Sequence, residues 1–393
     1  MRKKQDPFAS IRPYTTEEIP YAINRMLMSP QFVTSLTNFI ETENTATLVR
    51  RMRKMKTTAD LQREIFGPML NTFIHRSCEG LTFGGFDNID LHKPHLFIAN
   101  HRDIILDSAI LQCYLLSRDM PTTRSGIGDN LLMSPLFTDI AKTNNMFTVF
   151  RSHNTRTMLS NSKLLSEYIR QSIVKDKVSV WISQRNGRTK DGMDKTQQGV
   201  LKMLYSSSRT DVMSSLKELN IIPLTISYEY EPCDQMKARE LLRTKLNKFY
   251  IKDSKEDYNS ITKGIFSYKG RVHMEAGNPI DGQLDPDMKF PSANDALIYV
   301  CECIDREIHR NYRLWENNYI AYDVLHNSNR FAEEYMESEK NEFVKYIRKQ
   351  ANIADVNYTR MKQQLLAIYA NPVEAYLRDE EAASEAASEG EEA

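Results

Sequence analysis

The sequence predicts an α/β fold, and three observations carry that prediction. Short apolar runs of the kind buried strands use recur at residues 96–99, 178–183 and 221–228. Segments with apolar residues three and four apart, the helical spacing, fill the intervals. Polar turns follow the strands, as they do where a sheet edge opens to a ligand. Beyond this alternation, which spans roughly 80–280, the chain reads as helical additions. The division expected is a helical region at 1–80, an α/β domain at 81–290, a helical region at 291–378 and an acidic, disordered tail at 379–393.

Taken in order, residues 15–78 place apolar side chains at helical spacing, punctuated by Pro30 and Pro68. Residues 81–88 (LTFGGFDN) read as a strand ending in a turn. Leu96, Phe97, Ile98 and Ala99 make a buried strand, and Asn100, His101, Arg102 and Asp103 break it. A helical pattern opens at Asp107 and continues through Ile110, Leu111, Tyr114 and Leu115. Gly126 and Gly128 suggest a turn, 131–142 a short helix, and 147–150 a strand delivering Arg151. An amphipathic helix at 162–175 leads to the strand 178–183, which runs into QRNGRTKDG. A helix closes at 216–219, the strand 221–228 follows, then a long polar helical stretch, and GRVHMEAGNPI from Gly270 gives a further strand. Residues 296–319 and 321–376 read as two helices.

With 393 residues, 41% of them hydrophobic and 26% charged, the composition is that of a soluble globular protein. No window approaches the roughly 18 apolar residues of a spanning helix, and MRKKQDPFAS has no apolar core of a secretory signal. Five scattered cysteines suggest a reducing compartment, and Cys301 and Cys303 lack a second paired cluster, so no metal is expected. The net charge of zero conceals an asymmetry: seven acidic residues follow from Asp379 onward, leaving +7 on the rest. Arg50, Arg51, Arg53, Lys54 and Lys56 interleave with Val49, Met52 and Met55, a pattern that fits either a solvated helix face or an anionic membrane surface. No nucleic-acid motif accompanies them.

Chemistry concentrates in the polar turns. A histidine at the mouth of a sheet with a carboxylate behind it is the minimal apparatus for taking a proton from a hydroxyl, which singles out His101 with Asp107, or with Asp103. The bland alternative is that these residues cap a helix and pair at the surface. Arg185, Arg188 and Lys190 crowd around Gly187 and Gly192, where backbone comes close to a ligand and guanidinium groups grip phosphate. Three other motifs fail. A kinase catalytic loop needs Asn where Ser108 stands, a dinucleotide loop needs Gly where Leu131 stands, and no G-x-S-x-G elbow occurs.

Four blocks in order resemble the glycerolipid acyltransferase superfamily, which includes glycerol-3-phosphate and lysophosphatidate acyltransferases. They are NHRDIILDSA, GDNLLMSPLFTDIAKTNNMFTVFR, WISQRNGRTKDG and IIPLTISYEYEP. The last carries Pro223 and a following Tyr228. The resemblance covers roughly 81–280 and implies an acyltransferase-like mixed sheet flanked by helices. It implies an acceptor-phosphate role for Arg151, with Gly187 and Arg188 carried over from the third block. Two departures stand out. Five residues separate His101 from Asp107 where the family has four, so that Leu106 occupies the strict position, and Arg185 stands where the family has Glu.

The mechanism implied is direct acyl transfer. His101 takes a proton from a glycerol hydroxyl while Asp107 orients it, and Arg151 and Arg188 hold the acceptor phosphate. Backbone N–H groups near the first and third blocks would face the developing oxyanion. No cofactor is called for, since the thioester, on coenzyme A or an acyl carrier protein, is a substrate. The partners expected are that donor, a glycerol phosphate or lysolipid acceptor and a membrane surface, with no nucleic acid. The expected location is peripheral, on the cytoplasmic face of a membrane. The rivals are an acyltransferase for a neutral or amino-acid-bearing lysolipid, and a non-catalytic lipid-binding scaffold.

Overall fold

Continuous apolar strands form where a sheet is covered on both faces, because side chains alternate and each face then needs a hydrophobe. The strand β2 (Leu96–Ala99) shows this directly. Its Leu96 and Ile98 enter one core, and its Phe97 and Ala99 enter the core on the opposite face. The structure, a computed structural model, describes residues 6–40, 44–151, 154–246 and 254–391.

Seven strands make one mixed sheet: β1 (Cys78–Gly84), β2, β3 (Arg124–Gly128), β4 (Met146–Val149), β5 (Val180–Ser183), β6 (Ile221–Tyr228) and β7 (Gly270–Ala276), in spatial order β1-β7-β6-β2-β5-β3-β4. From β6 across to β4 every pairing is parallel, whereas β7 runs antiparallel to β6 and parallel to β1. Parallel strands share an edge at their carboxyl ends, so the turns after β2, β3, β4, β5 and β6 are brought together there.

Sixteen α-helical segments surround the sheet among the described residues. The N-terminal group is α1 (Ile19–Leu27), α2 (Pro30–Phe39), α3 (Thr45–Met52), α4 (Thr58–Leu61) and α5 (Gly67–Ser77). The sheet is crossed by α6 (Leu106–Ser117), α7 (Pro135–Thr143), α8 (Thr155–Arg170), α9 (Gln198–Tyr205) and α10 (Val212–Lys217). Next come α11 (Asp234–Leu246) and α12 (Ser254–Phe266), then α13 (Ala293–Arg310), α14 (Glu316–His326), α15 (Glu337–Ala351) and α16 (Tyr358–Glu391). One sheet face is covered mainly by α8, α9, α10 and α13, and the other by α6 and the end of α5. The N-terminal helices bury a core of their own, and α11, α14, α15 and α16 bury another.

Four readings change. Gly126 and Gly128 belong to β3 and not to a turn, and a Cβ on Gly126 would press on the Phe147 ring at 3.3 Å. Helix α8 starts at Thr155, earlier than its apolar stripe, because Asn154 accepts from the N–H groups of Arg156 and Thr157. The two C-terminal helices are four: α14 stops where Asn327 turns left-handed at φ 52. The acidic segment expected to be disordered continues α16 as far as Glu391, since Ala and Glu propagate a helix already nucleated by packing. Helix α16 also runs through Pro372.

The basic segment resolves into two sides. Met52 and Met55 are buried in the N-terminal core and Val49 is half-buried, while Arg50, Arg53, Lys54 and Lys56 face outward and Arg51 pairs with Glu64. The apolar members therefore serve packing, and the exposed side is purely basic. Among the described residues no helix is long and apolar enough to cross a membrane.

Candidate active site

The turn from His101 to Ile105 wraps around a single carboxylate. Asp107, in the first turn of α6 and almost fully buried, accepts on Oδ2 from the N–H of Arg102 at 2.6 Å and of Asp103 at 2.9 Å. The same oxygen lies 2.9 Å from His101 Nδ1, and Oδ1 accepts from the Tyr228 hydroxyl at 2.8 Å. Burial, then the nearby Asp107 charge, pushes the Tyr228 phenol well above its ordinary value, so it stays a donor. The carboxylate is thus fully ligated, and its partners fix where the imidazole sits. Because Nδ1 is engaged, Nε2 is the nitrogen left for chemistry on the cleft side.

The extra residue between His101 and Asp107 is absorbed in this turn. Leu106 is buried among apolar neighbours, and Asp103 caps α6 by accepting from the N–H groups of Ile105 and Leu106, both at 2.9 Å. Of the two candidate carboxylates, Asp107 meets the histidine and Asp103 holds the helix.

His101 lines a cleft of about 400 Å³ at the carboxyl edge of the sheet. This size is typical of a small-molecule site. The walls are largely apolar, including Ile104, Ile127, Val149, Met158, Trp181 and Val200. Arg151, Arg185 and Gly187 also line it, so the ends of β2, β4 and β5 do converge. The Arg151 side chain lies across Gly128, where a Cβ would come within 2.9 Å of its Nε; glycine makes that approach possible. Trp181 stands edge-on to His101, with centroids 6.1 Å apart. Two buried donors on these walls, Trp181 Nε1 and Arg185 Nε, have no hydrogen-bond partner among the described residues.

Two of the basic residues singled out in the sequence are not brought to the cleft. Arg188 is buried against the Cys233 thiol and is not among the residues lining the cleft. Lys190 pairs with Glu240 of α11 at 2.5 Å. Between Arg185 and Arg188, Gly187 takes a left-handed φ of 77, a turn that glycine accommodates without strain.

Sequence reading missed the polar network under the turn. Arg102 is buried, with its guanidinium on Asp194 at 2.7 Å, Glu231 at 3.1 Å and the Gly192 carbonyl at 3.0 Å. Lys237 Nζ meets Glu231 at 2.5 Å and the Arg102 carbonyl at 2.6 Å. Burial opposes the Arg102 charge, but the carboxylates outweigh it and hold its pKa well above the ordinary value. Asp194 is pushed up by burial and pulled further down by Arg102, a net lowering. Asn100 ties the end of β2 to Asp194 at 2.8 Å and to both polar groups of Ile226. No local pattern announces these partners, which lie about 90 to 135 residues away from Arg102.

Residues 80–227 match the model of the Acyltransferase family. No curated protein matches the chain. Among solved structures, the 1-acyl-sn-glycerophosphate (LPA) acyltransferase PlsC from Thermotoga maritima is similar at 16% identity, over 74% of this chain and 92% of that one, with a TM-score of 0.35.

Proposed function

We propose that this chain, whose residues 80–227 match the acyltransferase family model, moves a fatty acyl group from a thioester to a hydroxyl of glycerol-3-phosphate or a lysophospholipid. The observation that carries this reading is a His–Asp pair, with Nδ1 and Oδ2 2.9 Å apart, at the head of a largely apolar cleft inside the matched segment.

In the reaction proposed, His101 Nε2 takes the proton of the acceptor hydroxyl as its oxygen attacks the thioester carbonyl. A C–O bond forms, the carbonyl electrons move onto oxygen, and their return expels the thiolate as the C–S bond breaks. The proton held on His101 then passes to the departing sulfur. Asp107 offsets the imidazolium charge in between. The apolar walls suit the acyl chain. Arg151 and Arg185 are the cations that would face the acceptor phosphate, and the unpartnered donors of Trp181 and Arg185 suit an anionic oxygen on the same wall.

A second reading has an observation in its favour. With Arg188 and Lys190 turned away from the cleft, fewer cations remain for phosphate, which also suits a neutral lysolipid acceptor. The deciding experiment offers labelled acyl thioesters of both carriers to purified protein with glycerol-3-phosphate, lysophosphatidate or a neutral lysolipid. The expected result is transfer to a phosphate-bearing acceptor that vanishes in His101→Ala. Arg151→Ala should raise the KM for that acceptor by about 10- to 100-fold, the value of one or two charge-assisted contacts. Preferred transfer to the neutral acceptor, indifferent to Arg151, would select the second reading. Transfer unaffected by His101→Ala, or absent with every acceptor, would discard the catalytic reading altogether.

A further inference from the structure

We propose that Lys237, in α11 and outside the segment that matches the family, is a positioning residue for the His101–Asp107 pair, acting through the peptide unit that joins Arg102 to Asp103. The kinetic part of the proposal rests on the acyl-transfer reading above.

That peptide unit is held at both ends. Its carbonyl, on Arg102, accepts from Lys237 Nζ at 2.6 Å, and its N–H, on Asp103, donates to Asp107 Oδ2 at 2.9 Å. A peptide is planar and rigid, so the tilt set at the oxygen is transmitted to the N–H. The N–H is one of two backbone groups that aim Asp107 Oδ2, and the same oxygen orients His101. Lys237 therefore lies two hydrogen bonds behind the carboxylate that holds the imidazole.

Placing an ammonium here is costly. Lys237 is fully buried, and a buried charge destabilises unless it is paired and its donors are satisfied. Packing alone would be served by an apolar side chain of similar length. What such a residue lacks is a donor that reaches Glu231 and the Arg102 carbonyl together, at 2.5 and 2.6 Å. The buried group is balanced, with Arg102 and Lys237 against Asp194 and Glu231. Glu231 is itself fixed, since its N–H donates to the Tyr369 hydroxyl of α16 at 3.1 Å. The C-terminal helix α16 thereby contacts the segment that holds Glu231.

The test compares Lys237→Met with the double variant Lys237→Met/Glu231→Gln, which removes one buried charge of each sign and so keeps the network neutral. Kinetics, thermal midpoint and the downfield proton of His101 Nδ1–H, assigned by its absence in His101→Ala, are read on the full chain. In both variants kcat should fall by about 100-fold with each KM within about threefold, the pattern of a misplaced catalytic group. The double variant should keep its thermal midpoint, and the Nδ1–H resonance should shift or broaden. Restoration of kcat by the second substitution would assign Lys237 to charge balance alone and overturn the proposal. So would an unmoved resonance with unchanged kcat, or failure of both variants to fold. Should the wild type transfer no acyl group, the function proposed above fails, while the resonance still decides the positioning claim.

Discussion

At the scale of single residues, the carboxylate of Asp107 is the group on which the site depends. It takes two backbone donors, a phenol and an imidazole, so its replacement disturbs orientation before it disturbs charge. Asp107→Asn keeps an acceptor for Tyr228 but loses the anion behind the imidazole. Its kcat for acyl transfer is expected to fall by about 10²- to 10⁴-fold, the range of a general base left unsupported. Tyr228→Phe leaves the buried Oδ1 without its donor and should cost about 1–3 kcal/mol of stability in urea melts, with a smaller loss of rate than Asp107→Asn. A Tyr228→Phe variant as stable and as active as wild type would show that this oxygen needs no partner. His101, with Asp107 or Asp103 behind it, could be found in the sequence because these residues follow an apolar strand, whereas Tyr228 stood there only as part of a resembling block, without a role. Asp194 and Glu231 could not be found, because a lone carboxylate in a polar loop carries no sign that a guanidinium will be buried against it.

At the scale of elements, the loop after β5 is held by α16. Gly192 has φ 84, and a Cβ there would lie 2.1 Å from the Ile368 carbonyl. Ile368 stands four residues before Pro372, whose ring nitrogen has no hydrogen to give it, so the helix leaves that carbonyl open where Gly192 approaches. Beside it, Asn371 Nδ2 donates to the Asp191 carbonyl at 2.7 Å. Gly192→Ala combines a left-handed backbone with a steric clash and should destabilise by about 2–4 kcal/mol. Because the Gly192 carbonyl also receives Arg102 Nη2, activity should fall further than the loss of folded protein explains. Equal losses of activity and folded fraction would contradict that coupling. A glycine in a basic turn was visible as a place of close approach, but the approaching group is a helix backbone and not a ligand. That difference is written only in the packing.

At the scale of the whole molecule, the acidic segment is anchored to α13 by His309. Its Nδ1 lies 2.7 Å from Asp379 and its Nε2 2.5 Å from the Asp194 carbonyl, and two acceptors require both ring nitrogens to be protonated. Burial opposes the imidazolium, but Asp379 and the carbonyl outweigh it and raise the pKa above the ordinary 6.5. Burial likewise opposes the Asp379 carboxylate, and His309 outweighs it to lower the pKa below the ordinary 3.8. The histidine's contribution is complete below 6.5 and is lost as pH rises through its folded value; the carboxylate's is complete above 3.8 and is lost as pH falls through its own. Hydrogen exchange near residue 379 is therefore expected to quicken as pH rises beyond the histidine's folded value, after correction for intrinsic exchange, and Asp379→Asn should flatten the dependence. A wild-type profile as flat as the variant's would remove the anchor. A second prediction concerns the matched segment alone. Strand β7 lies between β1 and β6 but comes from residues 270–276, so the piece 80–227 lacks the neighbour that pairs with both. Expressed by itself it should show no cooperative thermal transition by circular dichroism, and a sharp one would make β7 dispensable for folding.

Local patterns determined the α/β class, the positions of the main strands and the turns where chemistry gathers. Apolar alternation and polar interruption are properties of neighbouring residues, and a chain without its fold already displays them. Tertiary structure decided which carboxylate meets His101, which of four cations face the cleft and what lies behind Arg102. Those outcomes depend on burial and on partners far along the chain. Desolvation makes a buried charge tolerable only where an opposite charge or a donor arrives to meet it, and only the folded chain brings one there.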